Sequence, residues 1–384
     1  MALLDIPLDK ITEADLQRLI TAGAAESLYI EYKQQTYGGD DKEHAEFLAD
    51  VSSFANAAGG DLVIGMTADK GAPTNFLPFT GDADKELLRL EGIARTGLEP
   101  RIPNLRAKAI PLAKGGACII VRAPKSYHPP HRVNYKNRLR FWARASSGKY
   151  EPNVEELRHI FNDAPLLAER IRAFHLDRVA KITAGETPVQ MPSGGKVVLH
   201  VVPLPSFADN RLADIVSLVT KGTGLPLPLE GTASNRSAVN LEGFLNYTDI
   251  YPGTGSVSYA QFFRSGAIEG VSELPRREAK EPYLIGPVVG KVKDALIQYL
   301  DTLRIYGAGL PVYAFLSLCD VRKCCLRYGM LGGGWGETSP LNRDVITFPE
   351  IFINSTDANV PALLSPTFNM LWNAFGFPEC DWKM

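Results

Sequence analysis

The stretch Phe54-Ala-Asn-Ala-Ala-Gly-Gly-Asp-Leu-Val-Ile-Gly65 decides how the first part of the chain folds. Apolar residues recur at helical spacing from about Glu43 to Ala57, which overlaps the start of this stretch, and they predict a helix with one core-facing side. Gly59-Gly60 ends that helix, because glycine adopts the positive backbone angles of a tight turn at little cost. The remaining Asp-Leu-Val-Ile-Gly predicts a short buried strand. A helix is therefore joined to a strand by a glycine turn.

Ionisable residues precede this unit, in Glu26-Ser-Leu-Tyr-Ile-Glu31-Tyr-Lys33. Alternation of β-forming residues predicts a strand here, with Glu31 and Lys33 on one face. Glu26 is five residues from Glu31 and would face the other way in a regular strand, so it is expected in the preceding turn or before a bulge. In the alternative interpretation, Glu26 caps or pairs locally and Glu31 bridges to Lys33 or to basic strands.

These carboxylates suit phosphodiester chemistry if a third one joins them. Asp69 or Asp61 could complete a set that holds Mg²⁺ or Mn²⁺, which polarises a phosphate and activates water. Lys33 would neutralise the developing charge. The predicted metal ligands are Glu26, Glu31 and Asp69.

A basic run follows the acidic start of the chain. Residues 101–149 contain twelve Lys and Arg and neither Asp nor Glu, whereas residues 1–100 hold eighteen acids against eight bases. The alternation from Arg138 to Ala145 predicts one strand with a cationic, aromatic-bearing face, suited to phosphates and stacked bases. The predicted nucleic-acid contacts are Arg132, Lys136, Arg138, Arg140, Trp142 and Arg144. In the alternative, the arginines lie over the acids of residues 1–100.

Length and composition predict a two-domain α+β protein. A chain of 384 residues is longer than a single hydrophobic core usually supports. A linker rich in Pro, Gly and Ser at residues 187–195 predicts domains at 1–186 and 195–384. No apolar run approaches a membrane span and the start does not resemble a signal peptide, so we expect a cytoplasmic protein. Five scattered cysteines predict neither a disulfide framework nor a zinc site.

The order of these motifs resembles the Schlafen-type AlbA domain, also called the divergent AAA domain, over about residues 23–162. The shared features are Glu-x4-Glu-x-Lys, a helix ending in Phe-Ala-Asn-Ala-x-Gly-Gly, a strand ending in Val-Ile-Gly, a basic strand and a final capped helix. The resemblance implies nucleic-acid binding and, in vertebrate Schlafen proteins, metal-dependent endoribonuclease activity. It assigns catalysis to Glu26, Glu31 and an aspartate three residues after the strand glycine. Ala68 stands there, and Asp69 is one residue further on.

Three functions remain open from the sequence. The first is a nucleic-acid-binding protein that cleaves RNA, with Glu26, Glu31, Lys33 and Asp69 as candidate catalytic residues. The second is a non-catalytic DNA- or RNA-binding regulator or prokaryotic defence component, which Ala68 favours. The third is an interaction scaffold whose arginines pair with Asp and Glu.

Vertebrate Schlafen cores use two such lobes, so we expect a homodimer. No phosphate-cradling glycine loop is present, so ATP is not expected.

Overall fold

The computed structural model describes residues 3–209, 212–230, 235–249, 255–276, 281–306, 309–329, 335–355 and 358–381. It divides into two compact units, Met1–Leu166 and Leu167–Met384. This division falls inside a long helix, upstream of the linker predicted at residues 187–195. Both units mix helices with strands, which confirms the predicted α+β class.

Eleven strands and three helices of the first unit precede the long helix among the described residues. In chain order they are α1 (Glu13–Thr21), β1 (Ile30–Lys33), α2 (Asp41–Asn56), β2 (Gly60–Ile64), β3 (Met66–Asp69), β4 (Ala72–Phe76), α3 (Ala83–Gly97), β5 (Leu98–Glu99), β6 (Arg106–Pro111), β7 (Ala117–Ala123), β8 (Arg132–Tyr135), β9 (Arg138–Phe141), β10 (Ala143–Ala145) and β11 (Gly148–Tyr150). The long helix is α4 (Val154–Thr183).

A mixed four-stranded sheet in the order β1-β2-β7-β6 forms the centre of the first unit. β1 runs parallel to β2, and the other pairs are antiparallel. Leu62 and Ile64 pack in the cluster that holds the apolar faces of α2 and α3, while Val63 packs with α1 on the other face. Glu31 pairs with Leu62 and Lys33 with Ile64, so both charged side chains belong to the face that α2 covers.

The glycine turn predicted between α2 and β2 is confirmed, and its two glycines serve different needs. Gly59 has φ +77°, a conformation that other residues rarely adopt. A Cβ on Gly60 would lie 2.1 Å from the ring of Phe54, so only glycine lets β2 pass this close to α2. A capping box begins α1, with Thr12 Oγ1 donating to Asp15 Oδ2 at 2.7 Å.

The single strand predicted from Arg138 to Ala145 is wrong, because it is two strands, β9 and β10, that belong to successive hairpins. The break lies at Trp142, whose carbonyl accepts a hydrogen bond from Asn56 Nδ2 at 2.9 Å. Asn56 also donates to His131 O and accepts from His131 N, at 2.9 and 2.6 Å. The asparagine of the Asn-Ala-x-Gly-Gly motif thus anchors both hairpins to the end of α2.

The second unit continues from α4 with eleven strands and four helices among the described residues. In chain order they are β12 (Lys196–Pro203), α5 (Leu204–Asp209), α6 (Ile215–Lys221), β13 (Asn235–Val239), β14 (Gly243–Thr248), β15 (Ser258–Phe263), β16 (Ile268–Glu273), β17 (Tyr283–Ile285), α7 (Pro287–Tyr306), β18 (Val312–Cys319), β19 (Cys325–Gly329), β20 (Trp335–Glu337), β21 (Val345–Thr347), β22 (Ile351–Ile353) and α8 (Val360–Asn373). The unit is built on an antiparallel sheet in the order β13-β14-β15-β16-β12-β18-β21, with β22 also paired to β18. A three-stranded sheet, β17-β19-β20, lies in the same unit.

A chain of buried polar groups crosses the core of this second unit. Ser317 Oγ lies 3.4 Å from His175 Nε2, His175 Nδ1 lies 3.0 Å from His200 Nδ1, and His200 Nε2 lies 2.9 Å from Glu269 Oε2. Arg178 and Tyr259 donate to the same carboxylate. Since all of these side chains are buried, the network holds the unit together and does not face solvent.

Within the described ranges, no helix is both long enough and apolar enough to cross a membrane.

Candidate functional site

Glu31 and Lys33 lie beneath α2 in a cluster of opposite charges. Glu31 Oε1 lies 2.7 Å from Lys33 Nζ, and Glu31 Oε2 accepts a hydrogen bond from Arg144 Nη2. The Arg144 side chain is only 1% exposed, and its guanidinium stacks 3.9 Å from the Phe54 ring centroid. Burial would raise the pKa of Glu31, but Lys33 and Arg144 outweigh it and lower that pKa. Glu31 is therefore an ionised carboxylate that two cations already neutralise.

Two acids of α2 complete this cluster, and the sequence analysis did not single them out. Asp50 is fully buried and lies 3.4 Å from Lys33 Nζ, while Glu46 lies 3.9 Å from the same amine. Lys149 bridges both acids. Burial, followed by repulsion from Glu31, raises the pKa of Asp50. The sequence does contain a signal for this pair, because Glu46 and Asp50 are four residues apart and so lie on one face of the helix.

Glu26 has a local role, as one of the two sequence interpretations predicted. It lies before β1, and its Oε1 accepts a hydrogen bond from the backbone N–H of Tyr32 at 3.0 Å. The backbone N–H of Glu26 donates to Gly71 O at 2.8 Å, which ties Glu26 to the β3–β4 turn. Asp69 is exposed at the end of β3, just before that turn. Ala68 packs against the core cluster beneath α1.

These residues do not form a metal centre in this arrangement. Glu31 is neutralised by two cations, and one oxygen of Glu26 already accepts a backbone hydrogen bond. Across the described residues, no group of three or more His, Cys, Asp or Glu is placed to hold a metal ion. The donor set Glu26, Glu31 and Asp69 thus does not fit Mg²⁺ or Mn²⁺, which require several free oxygen ligands at one point.

Much of the basic run neutralises the acids that precede it. Arg122 makes a bidentate contact to the buried Asp61 at 2.7 and 2.8 Å. Arg144 and Lys149 pair with the cluster beneath α2. This arrangement matches the alternative interpretation, in which arginines lie over the acids of residues 1–100. Arg144 is buried, whereas Trp142 is half-buried and packs against the core beneath α2 and α3.

The other four predicted contacts belong to the β8–β9 hairpin and remain accessible. Arg132 pairs with Glu99 and Lys136 with Asp41, both at 2.6 Å, and Arg140 pairs with Glu151. Arg138 is exposed and makes no ion pair with any residue that the structure describes. Lys136 and Asn137 both have positive φ, which gives the hairpin a two-residue turn. We call Arg132, Lys136, Arg138 and Arg140 the basic hairpin.

Comparison with known proteins finds a family model that matches most of the first unit. Residues 26–153 match the family model described as Schlafen, AlbA_2. Among solved structures, the chain is similar to the DIP2311 protein of Corynebacterium diphtheriae, at 15% identity and a TM-score of 0.27, over 38% of this chain and 27% of that one. It is also similar to the N-terminal domain of an ATP-dependent DNA helicase RecG-related protein from Nitrosomonas europaea, at 22% identity and a TM-score of 0.26, over 33% of this chain and 81% of that one. No curated protein matches the chain. The resemblance predicted from the motif order is thereby confirmed as a match to the Schlafen, AlbA_2 family model over residues 26–153.

Proposed function

We propose that the first unit binds nucleic acid through the basic hairpin and does not cleave it by a carboxylate-held metal. The observation that carries the proposal is the exposure of four cationic side chains on β8–β9 within a Schlafen AlbA_2 domain. The second candidate mechanism is metal-dependent cleavage by Glu26, Glu31, Lys33 and Asp69 with Mg²⁺ or Mn²⁺. It has less support, because those carboxylates already have partners or do not meet at one point.

The ion pairs of the basic hairpin do not prevent phosphate binding. The side chains of Arg140 and Glu151 are 58% and 50% exposed, and those of Lys136 and Asp41 are 62% and 49% exposed. Exposed pairs of this kind contribute little, because water and salt screen the attraction between the two charges. A phosphate backbone can therefore replace the carboxylates, and the release of condensed counterions favours the exchange. Arg138 is available without any exchange.

A scaffold that binds no nucleic acid is the second candidate function. It is favoured by the same ion pairs, because three of the four hairpin cations have carboxylate partners. The two candidates differ in their salt dependence. For a true phosphate contact, loss of one cation lowers the log–log salt slope by about 0.9 for duplex DNA and about 0.7 for single strands.

The test measures binding of fluorescein-labelled single-stranded RNA, transfer RNA and duplex DNA by anisotropy across a salt series. We expect Arg138→Ala/Arg140→Ala to weaken binding and flatten the slope. The matched control is Arg236→Ala, because Arg236 is a similarly exposed arginine (67%) paired with Asp249 in the second unit. Absence of binding by the wild-type protein to every probe would support the scaffold and refute the proposal.

The nuclease arm uses the same probes with Mg²⁺, Mn²⁺ or chelator. Glu26→Gln is the informative variant, since a glutamine oxygen can still accept the hydrogen bond from the Tyr32 N–H. Metal-dependent cleavage by the wild type that this variant loses would overturn the non-catalytic proposal and support the predicted endoribonuclease.

We further propose a homodimer that supplies a second binding lobe, acting as a regulator or defence component. If so, affinity falls when dimers are split by dilution. Equal affinity of monomer and dimer, measured by anisotropy alongside sedimentation velocity, would refute the dimer requirement.

A further inference from the structure

A groove of about 340 Å³ lies in the first unit between α3 and the segment that follows β5. One wall is a face of α3 that carries Leu88, Glu91, Gly92 and Arg95, at positions i, i+3, i+4 and i+7. The facing wall includes Arg101. Its floor is apolar and buried, with Ala94, Leu98 and Ile102 less than a tenth exposed. The groove thus combines an apolar base with charged walls.

The two arginines of this groove differ from most of the basic residues already described. Arg95 and Arg101 are both exposed, and neither side chain makes an ion pair or hydrogen bond with any residue in the described ranges. Two cations held over an apolar floor favour a ligand that carries an anion beside a flat apolar body. A nucleotide has this combination, and arginine binds its phosphate through a planar fork of donors.

The groove adjoins the basic hairpin. Leu98 lines it and pairs with Val133 of β8, while the next residue, Glu99, holds Arg132 at 2.6 Å. A single strand bound on the hairpin therefore lies close to the groove that Arg95 and Arg101 line. The volume, near the lower end of the roughly 300–1,000 Å³ typical of small-molecule pockets, suits one nucleotide and excludes a duplex.

Gly92 leaves the helix wall of the groove open. A Cβ built on Gly92 has no heavy atom within 4 Å, so a side chain there would extend into free space without disturbing the fold. Glycine costs a helix interior stability relative to alanine, and no packing contact of the first unit requires it at this position. The position therefore gives a means to fill the groove.

We propose that this groove binds one unstacked nucleotide of a single-stranded nucleic acid, with its phosphate on Arg95 and Arg101 and its base over the apolar floor. The carboxylate of Glu91, on the α3 wall, accepts a hydrogen bond from an exocyclic amine of the base. Cytosine, adenine and guanine each carry an exocyclic amine and uracil does not, so binding disfavours U. This inference deepens the proposed function and rests on it.

The test measures anisotropy of labelled oligo(C), oligo(U) and duplex DNA, with single strands of about ten nucleotides, within the 4–16 that comparable grooves bind. Gly92→Leu fills the groove, and Gly92→Ala is its matched control, since the alanine methyl occupies little of it. We expect Gly92→Leu to weaken oligo(C) binding about tenfold, because the leucine side chain displaces the base from the apolar floor, and to leave duplex binding unchanged.

Arg95→Gln and Arg101→Gln test the phosphate contacts separately from groove volume. Each is expected to lower the salt slope for oligo(C) by about 0.7. Denaturant midpoints equal to that of the wild type establish that these variants fold. If Gly92→Leu and both arginine variants bind oligo(C) like the wild type while the basic-hairpin variant does not, the groove proposal is wrong and the proposed function stands.

Cytidine monophosphate, followed by NMR, separates a free nucleotide from a nucleic acid. Binding that Gly92→Leu abolishes, together with tight oligo(C) binding, supports the proposal. Binding of the mononucleotide without any oligonucleotide binding overturns both the proposed function and the present proposal, and makes the groove a site for a free nucleotide.

Discussion

Replacement of Arg144 by alanine distinguishes a structural arginine from a phosphate-binding one. Arg144 donates to Glu31 and to Ser53 Oγ, the latter at 3.2 Å, and covers the Phe54 ring. Its side chain is 1% exposed and that of Glu31 is 13% exposed. Removing one partner of a buried ion pair costs about 3–5 kcal/mol, because the other charge stays buried. Lys33 still compensates Glu31 in part, so we expect the lower end, about 3 kcal/mol.

The expected loss is measurable in the intact chain. For a unit of this size each kcal/mol shifts the melting temperature by about 2–4 °C, so Arg144→Ala should lower the first unit's transition by about 6–12 °C. Arg140→Ala is the matched control, since its pair with Glu151 is exposed and contributes less than about 1 kcal/mol. Calorimetry resolves the transitions of the two units, and urea denaturation gives the free energy of unfolding.

Two results would refute this reasoning. One is an Arg144→Ala protein that unfolds like Arg140→Ala yet loses nucleic-acid affinity, which would make Arg144 a binding residue, as the sequence predicted. The other is the absence of coupling with Glu31. The Glu31→Gln/Arg144→Met pair should recover part of the loss, with an interaction energy of about 0.5–3 kcal/mol, because neither charge then stays buried alone.

Three further outcomes are expected. Gly92→Ala should raise the free energy of unfolding by about 1 kcal/mol, since the new methyl meets nothing within 4 Å and alanine favours the helix; a decrease in urea midpoint would contradict it. Burial, with a contribution from His200, lowers the pKa of His175 to about 3, below the unfolded value of about 6.5. As the pH falls, the unfolded chain therefore binds this proton before the folded chain does. The free energy of unfolding is fully retained above about pH 6.5 and falls by up to about 1.4 kcal/mol per pH unit toward pH 3. Urea titrations at several pH values should show a shallower fall in His175→Gln. Glu26→Gln should have a free energy of unfolding within about 0.5 kcal/mol of the wild type, because the glutamine oxygen still accepts the hydrogen bond from Tyr32 N–H. A loss above about 2 kcal/mol would show that the charge of Glu26 stabilises the turn.

The sequence alone determined the local structure and the family of the first unit. The helical spacing before Gly59, the glycine turn and the alternation of β1 each act between neighbouring residues, so the pattern specifies them. The motif order was enough to identify the family over residues 26–153. The sequence also offered, each as one of two alternatives, a Glu26 that pairs locally and arginines that lie over the acids of residues 1–100.

Only the tertiary structure decided which charged residues remain available. Arg144 and Glu31 are 113 positions apart, and they pair because β1 is an edge strand whose charged face lies under α2. The alternation in residues 138–145 did not reveal the break at Trp142, which depends on a hydrogen bond from Asn56, 86 residues away. Spacing along a chain specifies the face on which a side chain lies. What covers that face depends on long-range packing, and this separated the buried Arg144 from the exposed Arg138 and Arg140.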